Sequence, residues 1–237
     1  MASSKFIELT DSEKELYRAS GLTDFLIDSI ERTGYTPPTW KYSSRFSKSI
    51  AWVNGAFGKF KYGSEFSFDY SKGGLILANH VSYPDIPFII SNLYNHLGGE
   101  IYTNPPLFIQ RPGFFTKWGL AIPIIRPEEF AKISQNTGME EKEFERDALK
   151  LNNKLLRGAN RLIHEQNKVV VLFPQGTRNG SDIKGISRLK RTFKDSQNVA
   201  MLRIFNTDTN FREFSAREVS LDSPILEERV RRHFRMY

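Results

Sequence analysis

Apolar positions in residues 8–33 recur at helical intervals through Leu16, Leu22, Phe25, Leu26 and Ile30, and Gly21 divides the segment into two predicted helices. A Pro-containing break follows at Tyr35–Trp40. Within residues 47–61, Ile50, Val53, Phe57 and Phe60 form an apolar stripe that includes Trp52 and is flanked by Lys48, Lys59 and Lys61. This pattern suits a helix packed on the main domain or one lying in a membrane interface, and Gly55 and Gly58 weaken it as a helix.

The pattern changes near Gly73. Leu75–Ala78 is a short apolar run that predicts a strand, and residues 84–97 predict a helix whose first turn tolerates Pro84 and Pro87. Leu107–Gln110 and Ala121–Ile125 read as further strands. Phe144, Ala148, Leu151, Leu155, Leu162 and Ile163 line one face of a long helix over 140–166. Lys168–Phe173 predicts a buried strand, Pro174–Arg178 a turn, and residues 198–205 another strand. Strands alternating with helices predict an α/β fold, with a mixed, largely parallel sheet flanked by helices and preceded by an N-terminal helical segment. The expected division is an accessory segment over 1–66 and an α/β domain over 67–237.

At 237 residues and 39% hydrophobic composition the chain can bury a core. The absence of cysteine excludes disulfides, a thiol nucleophile and thiolate-bound metal. The four histidines show no close metal-ligand spacing, so no metal site is expected. The N-terminal stretch lacks an apolar core, so no secretory signal is expected. The longest apolar runs, Leu120–Ile125 and Val169–Phe173, are far shorter than a bilayer-spanning helix. The net charge of +7 is concentrated in the last third, at Lys184, Arg188, Lys190, Arg191 and Lys194 and again at Arg229, Arg231, Arg232 and Arg235. Such a face is either a solvated surface or one that attracts anionic lipid, an acidic carrier protein or nucleic acid. No nucleic-acid-binding motif is present, and no nucleic-acid partner is expected.

Two constellations carry candidate chemistry. In Asn79-His80-Val81-Ser82-Tyr83-Pro84-Asp85 a predicted strand gives way to a predicted helix. Across such a junction the loop can fold His80 back onto Asp85, whose carboxylate is favoured at a helix N-terminus. A carboxylate on one ring nitrogen fixes the imidazole tautomer and leaves the other nitrogen to accept a proton. No nucleophile elbow lies nearby, so the activated hydroxyl would belong to a substrate; a purely structural histidine is the alternative. In Phe173-Pro174-Gln175-Gly176-Thr177-Arg178 a buried strand runs into a turn that presents a hydroxyl and a guanidinium fork suited to phosphate. A solvated surface turn is the alternative there.

Together, in this order, the two segments resemble the glycerol-phosphate and lysophospholipid acyltransferase family. That family carries Asn-His-x-x-x-x-Asp and, further on, Phe-Pro-Glu-Gly-Thr-Arg. The first motif matches fully, and the second matches except at Gln175. Gly119–Arg126 resembles the family's intermediate segment, with Arg126 in the place of its arginine, and Arg111–Phe115 also fits. The fourth segment, Ala200-Met201-Leu202, lacks the family's proline. The resemblance covers roughly residues 70–205.

The resemblance implies an O-acyltransferase that moves a fatty acyl group from acyl-CoA or acyl-ACP to a hydroxyl of lysophosphatidic acid, glycerol 3-phosphate or another lysophospholipid. His80 would act as general base with Asp85 holding the imidazole. Arg126 and Arg178 would hold the acceptor's phosphate in a pocket shaped by Gln175, Gly176 and Thr177. It implies no metal and no bound cofactor; the acyl thioester is a co-substrate. The expected partners are the acceptor lipid, the thioester donor with acyl carrier protein as one form of it, and an anionic membrane surface. The expected location is cytoplasmic, at the periphery of a membrane. Gln175 keeps the size of glutamate but loses its charge, so a catalytically weakened relative that binds anionic lipid or an acidic partner is the alternative.

Overall fold

The computed structural model describes residues 5–37, 68–79, 85–86, 89–90, 93, 104–112, 116, 120–174, 186–206, 212–224 and 226–235. Along the chain the elements are α1 (Asp11–Ala19), α2 (Asp24–Thr33), β1 (Gly74–Ala78), β2 (Leu107–Gln110), β3 (Ala121–Pro123), α3 (Phe130–Thr137), α4 (Glu141–Gln166), β4 (Val169–Leu172), α5 (Ile186–Thr192), β5 (Val199–Asn206), β6 (Arg212–Glu218) and α6 (Leu226–Arg235). They fall into two compact units. One is built from Met1–Lys41 and Leu107–Leu162, the other from Tyr42–Pro106 and Ile163–Tyr237.

In the first unit, Thr10 starts α1 with a capping box. Its hydroxyl accepts from the Glu13 amide, and the Glu13 carboxylate accepts from the Thr10 amide at 2.8 Å. The predicted split falls where Gly21 adopts φ +86°, and α2 stops at Gly34 in the left-handed region. A β-carbon at Gly34 would also lie 2.8 Å from the Phe6 ring. Strands β2 and β3 pair in parallel, with Phe108 opposite Ala121 and Ile109 opposite Ile122. Tyr17 is fully buried, and its hydroxyl donates to the Pro123 carbonyl at 3.0 Å. Burial pushes that phenol well above its ordinary pKa. The core continues along α4 through Phe144, Ala148, Leu151, Leu155, Ala159 and Leu162, all buried, with Phe130 edge-on to Phe144.

In the second unit, β1 is the central strand. It pairs in parallel with β4 on one side (Leu77 opposite Leu172) and with β5 on the other (Leu77 opposite Met201). Every residue of β1 is buried, as expected for a parallel strand enclosed on both faces. Strand β6 adds to β5 in antiparallel register, from Ala200 opposite Glu218 to Asn206 opposite Arg212. The fold is α/β, and its strand pairing is mixed and largely parallel. The approach to β1 is tied down by Asn198. Its amide donates to the Asp69 and Gly73 carbonyls at 2.6 and 2.5 Å and accepts from the Asp69 amide. Gly73 has φ +67° and ψ −178°, a region essentially restricted to glycine, and a β-carbon there would lie 2.5 Å from the Asn167 main chain.

The predicted strand over 121–125 ends at Pro123, because the main chain of Ile125 bonds to a side chain of α4 instead of to a strand. Asp85, Ile86, Ile89, Ile90 and Leu93 are helical, inside the helix expected over 84–97. The stripe at 47–61 lies outside the described residues. Four elements were not read from the sequence: α3, α5, β6 and α6. The signal for α6 was available in its buried residues Leu226, Val230 and Phe234, which recur every four positions within an arginine-rich segment. Among the described residues no helix is long and apolar enough to cross a membrane.

Candidate active site

The strand β1 ends at Ala78, and the next residue, Asn79, is 6% exposed. Its side chain bonds the main chain of Ile204 twice. The amide nitrogen donates to the Ile204 carbonyl at 2.6 Å, and the amide oxygen accepts from the Ile204 N–H. The Asn79 N–H donates to the Leu202 carbonyl at 3.3 Å. The side chain therefore extends the β1–β5 ladder by one more pair of hydrogen bonds. The main chain is gripped directly before His80.

His80 itself lies outside the described residues, as do Gln175, Gly176, Thr177 and Arg178. Asp85 is described: it is helical, 0% exposed, and engaged in a polar or electrostatic interaction. A carboxylate with no access to water must be paired or hydrogen-bonded to stay ionised. The segment 173–178 leaves the end of β4, where Phe173 and Pro174 are buried. Because β1 and β4 are parallel neighbours in register at Leu77 and Leu172, both motif segments depart from adjacent strand ends on the same edge. The third flanking strand, β5, carries Ala200-Met201-Leu202 opposite Ile76-Leu77-Ala78. The carboxyl edge of such a sheet is where α/β proteins commonly bind ligands.

Arg126 belongs to the other unit. It caps a short 3-10 turn over Pro127–Glu129, and its side chain is 19% exposed. Burial lowers its pKa, Glu128 and Glu129 oppose that shift, and the nearby Arg111 charge adds to it. An arginine so placed stays charged at neutral pH. The Arg126 guanidinium approaches Glu128 at 3.6 Å, and Arg111 pairs with Glu129 at 3.2 Å. Oε2 of Glu129 is buried without a hydrogen-bond partner among the described residues. The Arg126–Glu128 contact is longer than a hydrogen-bonded ion pair.

One supporting residue escaped the sequence reading. Asn152, on α4, grips Ile125 as Asn79 grips Ile204. Its amide oxygen accepts from the Ile125 N–H at 2.9 Å, and its nitrogen donates to the Ile125 carbonyl at 2.6 Å. It is 7% exposed. A polar residue on the inward face of an otherwise apolar helix was the only signal for it. Among the described residues no three His, Cys, Asp or Glu side chains lie together in a way that could hold a metal ion.

No protein-family model matches this chain, and no curated protein is a significant match to it.

Proposed function

We propose that the chain is an O-acyltransferase of the glycerol-phosphate and lysophospholipid type. The observation that carries this reading is the departure of the His80 and Arg178 segments from adjacent ends of the parallel strands β1 and β4. In the proposed reaction His80 removes the proton from the acceptor hydroxyl while the Asp85 carboxylate steadies the imidazole. The oxygen attacks the thioester carbonyl directly, the carbon–sulfur bond breaks, and the thiolate takes up the proton. Arg178 and Arg126 hold the acceptor's phosphate, which converts a bimolecular encounter into a positioned one. Gly176 and Thr177 shape the phosphate pocket beside Gln175. No metal or bound cofactor takes part; the acyl thioester, on coenzyme A or acyl carrier protein, is the donor. The exposed Arg191, Lys194, Arg229 and Arg232 support a peripheral position on an anionic cytoplasmic membrane face.

The test is thioester release with an acyl donor and lysophosphatidic acid or glycerol 3-phosphate. The His80→Ala variant should lose roughly 10²–10⁴-fold in turnover, the usual worth of a general base. Equal turnover by the two proteins would remove His80 from the mechanism. Gln175, where the family has a glutamate, favours a second reading as a weakened relative that binds anionic lipid or an acidic partner. Liposome binding without turnover, unchanged in His80→Ala, would select it.

A further inference from the structure

The long helix α4 has a second side that the acyl-transfer reading does not use. Next to its buried face, Lys150, Lys154, Arg157 and Arg161 follow one another at steps of four, three and four, so they form one stripe. From Ala148 to Leu162 the helix carries no carboxylate. The N-terminal residues Phe6, Ile7 and Glu8 run beside this stripe, and a groove of about 600 Å³ lies along them.

The N-terminal segment is fastened to α4 along this groove. Gly158 lets the N-terminal segment come close, since a β-carbon there would stand 2.6 Å from the tip of Ile7. Arg161 donates to the Phe6 carbonyl at 3.0 Å and lies 4.4 Å above the centre of the Phe6 ring. Lys154 donates to the Glu8 carbonyl at 2.9 Å and pairs with Glu13 at 2.6 Å. Lys150 pairs with Asp147 at 3.1 Å. Arg157, between the anchors, is exposed and has no ion pair or hydrogen bond among the described residues. No carboxylate of α4 stands three or four positions from it; those positions hold Asn153, Lys154, Asn160 and Arg161.

We propose that this groove binds a phosphate group, with Arg157 as its main ligand and Asn153 and Lys154 beside it. A guanidinium offers two parallel N–H bonds to phosphate oxygens, and the neighbouring amide and ammonium add single donors. Among the described residues Glu8 is the one carboxylate lining the groove, and although Lys150 and Lys154 pair with Asp147 and Glu13 behind it, Arg157 and Arg161 leave the lining cationic, which favours an anion. The volume is in the range of organic ligand sites, roughly 300–1,000 Å³. The phosphate is that of a soluble organic phosphate or of a lipid headgroup. None of the residues assigned to acyl transfer takes part, so this site stands or falls separately.

The experiment compares the wild-type chain with Arg157→Gln and with Arg32→Gln, a variant of an exposed arginine on α2 that serves as a charge-matched control. Inorganic pyrophosphate is titrated by calorimetry, and phosphatidylglycerol–phosphatidylcholine vesicles are titrated by co-sedimentation. Saturable binding that Arg157→Gln weakens at least about tenfold, with Arg32→Gln unchanged, supports the site, since a charge-assisted hydrogen bond has about that worth. The effect appears with pyrophosphate for a soluble phosphate, and with vesicles alone for a headgroup. Equal weakening by both variants, or no effect of Arg157→Gln on either probe, overturns the proposal. A second variant, Asn153→Asp, sets a carboxylate beside Arg157 and should weaken binding in the same assay; unchanged binding counts against the site. Circular dichroism and the unfolding midpoint of Arg157→Gln should match wild type, because the side chain is exposed and has no partner among the described residues.

Discussion

Asn79 directly follows the strand whose end it secures, whereas Asn152 stands on a helix and grips main chain 27 residues earlier. Both side chains use one donor and one acceptor to close a main-chain pair that no strand could reach. In the second unit this holds the chain just before His80; in the first it holds the chain just before Arg126. Both clamps are neutral. A charged side chain in the same place would impose its field on the adjacent imidazole or guanidinium, and its hold would depend on pH. The first unit also contains a charged clamp, well away in sequence from Arg126. Glu31, nearly buried, takes hydrogen bonds from Lys5 at 2.9 Å and from the Leu9 amide, and pairs with Lys14 at 3.1 Å. The protein thus fastens its N-terminal segment with charge and its motif segments with amides.

Truncating the amide clamps should have the largest effect. Asn79→Ala and Asn152→Ala each leave a buried N–H and C=O without partners and should cost about 2–4 kcal/mol by denaturant unfolding. Their kinetic effects should differ under the acyl-transfer proposal. Asn79→Ala should lower kcat, because it loosens the approach to His80. Asn152→Ala should raise KM for the phosphate-bearing acceptor, because it loosens Arg126. Identical kinetic profiles would erase the distinction between the two clamps.

Glu31→Gln comes next, at about 2–3 kcal/mol near neutral pH. Burial pushes the Glu31 pKa up, but the Lys5 hydrogen bond, the Leu9 amide and Lys14 outweigh it, and the net shift is downward. Its stabilisation is therefore complete above the unfolded-state value of about 4.3 and is lost as the pH falls through the lower folded-state value. Unfolding midpoints of wild type and Glu31→Gln should converge in acid. A gap that stays constant down to about pH 3 would show that the carboxylate acts without its charge. The smallest effect is expected at Thr10→Ala, about 1 kcal/mol from loss of the capping hydroxyl. Thermal unfolding measures it, and a change above that of either asparagine variant would invert the ranking.

The elements with a strong apolar period could be read directly. The helix pair around Gly21 and α4 fall where burial of every third or fourth residue demands them, and the strands Gly74–Ala78 and Leu107–Gln110 fall on short apolar runs buried at every position. The segments that could not be read owe their form to neighbours. Strand β6, with the sequence Arg-Glu-Phe-Ser-Ala-Arg-Glu, has no apolar alternation strong enough to announce it; the edge of β5 supplies its partner. Beyond Pro123 an apolar run looks like more strand, and only the amide of Asn152 decides otherwise.

The candidate site divides in the same way. The residue types and order of the two motifs are a property of the chain, and so is the excess of cationic groups in its last third. Their relation in space is not. Residues 79 and 173 are far apart along the chain, and what sets their strands side by side is the parallel pairing of Gly74–Leu77 with Val169–Leu172. That pairing follows from enclosing β1 on both edges, a requirement of main-chain hydrogen bonding that no local pattern records. Side chains announce themselves in sequence when their own burial selects them. Asn152 is selected by the main chain of Ile125, and the groove at Arg157 by the approach of Ile7 to Gly158, so only the folded chain reveals them.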